Sequence, residues 1–172
     1  EDVLVGANIT VRRSVRRTLQ DERVLEGIAV ANRVAKTGIC NELKDHGVSM
    51  SCVSKMVYGA WWTLPSNNVV TRARTVAINA RWGRRRAMRC PEIVAAVLSN
   101  PVRTDPPAAI LYRNLCDTRR MLIKSERRHN MFCETLSMLG TLPNIQGPAH
   151  GFVSLILNGG WTFTKSVEGL NI

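Results

Sequence analysis

Apolar positions recur along most of the chain at three- and four-residue intervals, the spacing that gives an α-helix one buried stripe. Residues 14–36 show it first. Val24, Ile28, Ala31 and Ala35 fall on one side, Leu25 and Val34 widen the stripe, and Gly38 supplies a stop. Shorter helices are predicted over residues 39–46 and over Ser51–Tyr58, with Gly47-Val48-Ser49 between them and Gly59 ending the second. Trp61-Trp62 and a loop at Pro65-Ser66-Asn67-Asn68 follow. Residues 69–82 read as a helix in which Val70, Ala73, Val76, Ala77 and Ala80 share a face. Pro91 opens a helix running to Ser99, closed by Asn100-Pro101. Asp105 is placed to cap the next helix, with Pro106 at its first position and Leu111, Leu115 and Leu122 on one side. A continuous run to Leu139 would be long for a globular domain, so a break is expected near Ser125–Asn130. Phe132, Leu136 and Leu139 then form the next stripe, ended by Gly140.

The two ends change character. Residues 2–11 are rich in Val and Ile and read as an extended arm or edge strand. After Pro143, Gly147 and Pro148, the apolar run Phe152–Leu157, the turn signal Asn158-Gly159 and the alternation over Trp161–Val167 predict a β-hairpin. An isolated hairpin is marginal in water, so it must pack on the helices or pair with another chain. The expected fold is therefore mainly α, with about six helices, an N-terminal extended arm and a C-terminal β-hairpin. The arm covers 1–13, a helical domain 14–140, and a loop and hairpin 141–172.

Composition narrows the class. At 172 residues with 45% hydrophobic content, the chain is too apolar to be disordered. Its longest apolar runs reach six or seven residues, against roughly 20 for a membrane helix, and no membrane partner is expected. Five Cys without short paired spacing suggest neither a disulfide scaffold nor a structural zinc, and no metal or cofactor is expected. Free thiols point to a reducing compartment or a virion. The chain begins at Glu1, as a processed product or a fragment would. No Gly-rich phosphate loop, nucleophile elbow or metal-binding His pair is present, so an enzyme is not expected.

Charge carries the functional signal. The formal net charge is +11, and residues 46–91 hold eight Lys and Arg with no Asp or Glu. Within that block Arg72, Arg74, Arg81, Arg84, Arg85, Arg86 and Arg89 lie in 18 residues, and Arg74, Arg81 and Arg85 share a helical face. So many like charges repel unless an anion is present, and a polyanion suits them because each neutralised phosphate releases counterions. Arg12, Arg13, Arg16 and Arg17 form a second cluster; Arg119, Arg120, Lys124, Arg127 and Arg128 form a third. Arg outnumbers Lys 19 to 5, and the planar guanidinium fork matches phosphate and base edges. Trp61, Trp62 and Trp82 lie within the carboxylate-free block, either as core or, if exposed, as surfaces for unpaired bases.

Residues 38–59 have the outline of a helix-turn-helix. Gly47 would supply the turn, Val48, Val53 and Val57 the buried positions, and Ser49 the cap, leaving Met50, Ser51, Ser54 and Lys55 outward. The stretch Gly47-Val48-Ser49-x-Ser51-x-Val53-Ser54-Lys55-x-Val57-x-Gly59 resembles the DNA-reading helix of lac-repressor-type bacterial regulators. That resemblance implies that the turn and the start of the second helix face the major groove. It covers 38–59 alone. Glu42 and His46 depart from the small or apolar residues usual in the first helix, and an ordinary pair of core helices fits the same pattern.

Two functions follow as expectations. In one, a non-enzymatic nucleic-acid-binding protein grips phosphates with Arg72–Arg89 and approaches base edges with the helix-turn-helix-like unit. In the other, a structural RNA-binding protein works within a large assembly, such as a viral coat or ribosomal protein, and contacts its own copies or other subunits.

Overall fold

A computed structural model describes residues 2–4, 7–9, 18–83, 90, 93–94, 97, 100–138, 148–158, 164–166 and 169–171. These are mainly helical, as the apolar spacing requires. The chain divides into two compact units, Glu1–Arg113 and Asn114–Ile172.

The first unit is built on three helical runs. Helix α1 spans Leu19–Ala35 and starts where Thr18 caps it: the Thr18 hydroxyl accepts from the Asp21 backbone N–H at 3.1 Å. Asp21 and Glu22 sit in its first turn, where the helix dipole favours negative charge. The next run comprises α2 (Asn41–Gly47), a π-helical segment (Val48–Val53) and α3 (Ser54–Val57). Helix α4 spans Asn67–Trp82 and ends at Gly83, which takes φ +77°.

The core of this unit joins all three runs. Val24, Ile28 and Ala31 of α1 meet Val48, Cys52, Val53 and Met56 of the second run and Ala73, Ala77 and Ala80 of α4. The small residues of α4 recur at four and three, which lets its backbone approach α1 closely. Burial of side chains such as Val24 and Met56 stabilises by about 1.5–3 kcal/mol each. Gly27 marks the tightest point: a Cβ there would lie 2.7 Å from Met56 Cγ and Cε and 3.0 Å from the Cys52 carbonyl oxygen.

The turn expected at Gly47 is not formed. Gly47 has φ −61° and ψ −43°, Val48 and Ser54 are also helical, and Asn41–Val57 runs on without a break. The Ser54 N–H reaches the Ser49 carbonyl, one residue beyond the α-helical partner. This widened turn shifts the register by one position. Val48, Cys52, Val53 and Met56 then all face the core, so the pattern read as two helices across a turn is one helix with a π segment. Ser49 lies inside that helix and is not its cap.

Helix α5 (Pro101–Thr104) is short, and α6 spans Pro106–Ile123. Pro106 opens α6, with the Asp105 carbonyl accepting from Ala109 N–H at 2.9 Å. Ala109 joins the core of the first unit. The expected break falls at Lys124–Ser125, before α7 (Glu126–Met138).

In the second unit α7 packs against α8 (Pro148–Asn158), with Phe132 and Phe152 edge to face at 5.6 Å. The run Phe152–Leu157, expected as a strand, is helical. Phe152, Val153 and Ile156 form a stripe against Phe132 and Leu136, and Pro148 occupies the first helical position. A nearly continuous apolar run, broken here by Ser154 alone, carries little period of its own, so its partner decides its conformation.

Two short antiparallel pairs occur in the terminal stretches, β1 (Asp2–Leu4) with β2 (Ala7–Ile9) and β3 (Thr164–Ser166) with β4 (Gly169–Asn171). Most of the arm expected over 1–13, and Gly159 and Trp161–Phe163 of the expected hairpin, lie outside the described residues.

Candidate nucleic-acid interface

Helix α4 presents its arginines in different directions. Arg72 is exposed, and among the described residues no carboxylate pairs with it. Arg74, two residues on, points the other way. Its Nε donates to Asp105 Oδ1 at 2.9 Å and its Nη2 to Oδ2 at 3.0 Å, a bidentate pair with Asp105 5% exposed. Arg81 pairs with Asp45 at 2.9 Å, and its guanidinium lies over the Trp82 ring at 4.3 Å. Asp45, Val48, Ala77, Ile78, Arg81, Trp82, Thr104 and Asp105 line one small depression that holds the Arg81–Asp45 pair and reaches Asp105. Burial pushes the Asp45 carboxyl above its ordinary range, with Arg81 pulling the other way.

Three carboxylates from outside the basic block thus return to it in space. Asp105 meets Arg74, Asp45 meets Arg81, and Glu26 meets Lys55 at 2.5 Å. The block lacks acids in sequence, yet its fold neutralises three of its cations. Arg74 and Arg81 were expected to grip an anion from outside; each instead holds a carboxylate of its own chain, because helix spacing turns both toward the interior. Lys55, Ser51 and Ser54 are exposed on one helix, and the Ser54 hydroxyl donates back to the Met50 carbonyl. Trp62 is exposed, while Trp61 and Trp82 are half-buried.

Arg84, Arg85, Arg86 and Arg89 follow directly on α4 in sequence and lie outside the described residues, as do Arg12, Arg13, Arg16 and Arg17. In the second unit Arg119, Arg120, Lys124, Arg127 and Arg128 are all exposed around the break between α6 and α7. Arg120 meets Asp117 at 3.3 Å, an exposed pair of small energetic weight.

Among the described residues no group of His, Cys, Asp and Glu is arranged to hold a metal, and no helix is long and apolar enough to cross a membrane. All five Cys are free thiols. The three acidic partners escaped the sequence reading because Asp105 and Asp45 lie 31 and 36 positions from their arginines. Tyr58 also escaped it, since nothing in the apolar pattern marked its ring as exposed.

No protein-family model, curated protein or solved structure matches this chain.

Proposed function

We propose that the chain binds nucleic acid through its phosphate backbone and catalyses no reaction on it. One observation carries this reading: the segment from His46 to Pro91 holds eight Lys and Arg and no carboxylate, and of these Arg72 is exposed with no carboxylate pairing it among the described residues, while Arg84, Arg85, Arg86 and Arg89 add four more cations in sequence. Five guanidinium groups of this kind support a binding constant that falls steeply with salt, with a log–log slope of about −3 to −4 on a single strand. The site is narrower than the seven arginines of 72–89, since Arg74 and Arg81 serve the fold. A role in a structural RNA-binding assembly draws support from the separate exposed cluster at Arg119–Arg128, because assembly subunits contact nucleic acid or neighbours on several sides.

The test is purification without nuclease treatment, followed by absorbance at 260 and 280 nm and digestion with RNase or DNase. Co-purifying nucleic acid released by salt supports the reading, and the nuclease that removes it gives its type. A chain that carries none, and shifts neither labelled RNA nor DNA at low salt, refutes it.

A further inference from the structure

The loop after α3 is held with unusual care for a segment that displays large aromatic rings to solvent. Tyr58 is 59% exposed and Trp62 46% exposed. Three side chains of α1 fasten the backbone around them. Gln20 Nε2, itself buried, donates to the Met56 carbonyl at 2.5 Å, Arg23 Nη1 donates to the Tyr58 carbonyl at 3.2 Å, and the Asp21 carboxylate accepts from the Ser66 N–H at 2.7 Å. Gly59 takes φ +81°, a left-handed conformation that favours glycine, and a Cβ there would meet Arg23 Nη1 at 2.6 Å and displace that guanidinium. Trp62 N–H closes onto the Gly59 carbonyl at 3.1 Å. The rings are braced as well: the Arg23 guanidinium lies over Tyr58 at 4.9 Å from its centroid, and Trp61 meets Trp62 edge to face at 4.7 Å.

Exposed apolar rings gain nothing from water, and a fastened loop cannot swing them inward. Their surroundings favour an anionic ligand. The loop lies inside the carboxylate-free segment, and two acids of α1 are already engaged, Asp21 with Ser66 and Glu26 with Lys55. We propose that Tyr58 and Trp62 form a stacking platform for unpaired bases, so that the ligand is single-stranded nucleic acid. This rests on the phosphate-binding reading above and adds the strand type. Every base offers a π face, so such a platform tolerates any sequence, whereas a duplex keeps its bases stacked on each other.

The experiment measures affinity of the full chain for a fluorescent 20-nucleotide oligouridylate and for a duplex of equal length. Tyr58→Leu and Trp62→Leu should each weaken strand binding by about tenfold, with duplex affinity within about twofold of the unaltered chain. Tyr58→Phe and Trp62→Phe should keep most of the strand affinity, because a phenyl ring still stacks. Arg84, Arg85 and Arg86 changed together to Ala should weaken strand and duplex alike. If that triple change weakens both ligands while the Leu variants bind the strand normally, the platform is overturned and the phosphate reading stands. If the unaltered chain binds neither ligand at low salt, the phosphate reading itself fails. Tryptophan emission gives a readout free of any substitution: saturation with strand should quench it, and binding without quenching overturns the platform.

Discussion

Replacing Arg74 by Ala separates an arginine that builds the fold from one that binds a ligand. Arg74 gives Asp105 two charge-assisted hydrogen bonds, at 2.9 and 3.0 Å. Asp105 is 5% exposed and the Arg74 side chain 21%. Removing the guanidinium leaves a buried carboxylate without its counter-charge, a loss of about 3–5 kcal/mol for enclosed pairs. Part of Arg74 remains in water, so the lower end, about 3 kcal/mol, is expected. Arg72→Ala, on the exposed side of the same helix, should change stability by less than about 0.5 kcal/mol. Urea unfolding followed by tryptophan emission reads the first unit through Trp61, Trp62 and Trp82. Replacing both partners, Arg74→Met with Asp105→Leu, should recover part of the loss, since no unpaired charge is then enclosed. The reasoning is refuted if Arg74→Ala unfolds at the same urea concentration as the unaltered chain while the salt slope of nucleic-acid binding becomes shallower. Arg74 would then be a phosphate contact.

Four further outcomes are expected. Gly27→Val should cost about 2–3 kcal/mol in the same urea assay, because even its Cβ meets Met56 and the Cys52 carbonyl below contact distance; unchanged stability would mean that α1 and the π segment do not pack as described. Burial pushes the Cys52 thiol up to about 11, so at pH 8 alkylation with mass-spectrometric mapping should modify exposed Cys40 and Cys90 and reach Cys52 only in denaturant. Between pH 9 and 11 the unfolded thiol ionises before the folded one, so the Cys52 contribution to stability is full below 9 and declines across that window, and an alkaline limb unaffected by Cys52→Ala would count against it. The Lys55 hydrogen bond and charge hold the Glu26 carboxyl below its ordinary range, whereas burial raises Asp45, so carboxyl NMR on acidification should find Asp45 protonating first. The Glu26 contribution is present above the ordinary carboxylate range and lost as pH falls; that of Asp45 is greatest at low pH and declines as it ionises.

Where an amphipathic stripe had one face to bury, its helix was legible: α1, α4 and the break at Lys124–Ser125 lie where apolar spacing and Pro, Gly and Ser signals put them. The second run was misread because a π segment hides the α period. Spacings of four, one and three between Val48, Cys52, Val53 and Met56 resemble two helices offset by a turn. The strand expected at Phe152–Leu157 failed because six nearly continuous apolar positions fit either conformation until Phe132 and Leu136 are known to face them. At the candidate interface, the absence of acids between His46 and Pro91 was visible, but its electrostatic consequence was not. Asp45 and Asp105 reach Arg81 and Arg74 only through tertiary packing, and no local spacing foretells a pair more than 30 positions apart.

The central claim is that the arginines clustered in sequence at 84–89, with exposed Arg72, contact phosphates, and the salt dependence of binding tests it most directly. With Arg84, Arg85 and Arg86 changed together to Ala, the log–log slope against salt on a single strand should become shallower by about two, that is three contacts at roughly 0.7 each, with far-ultraviolet circular dichroism unchanged. A folded triple variant that keeps the full slope would contradict it.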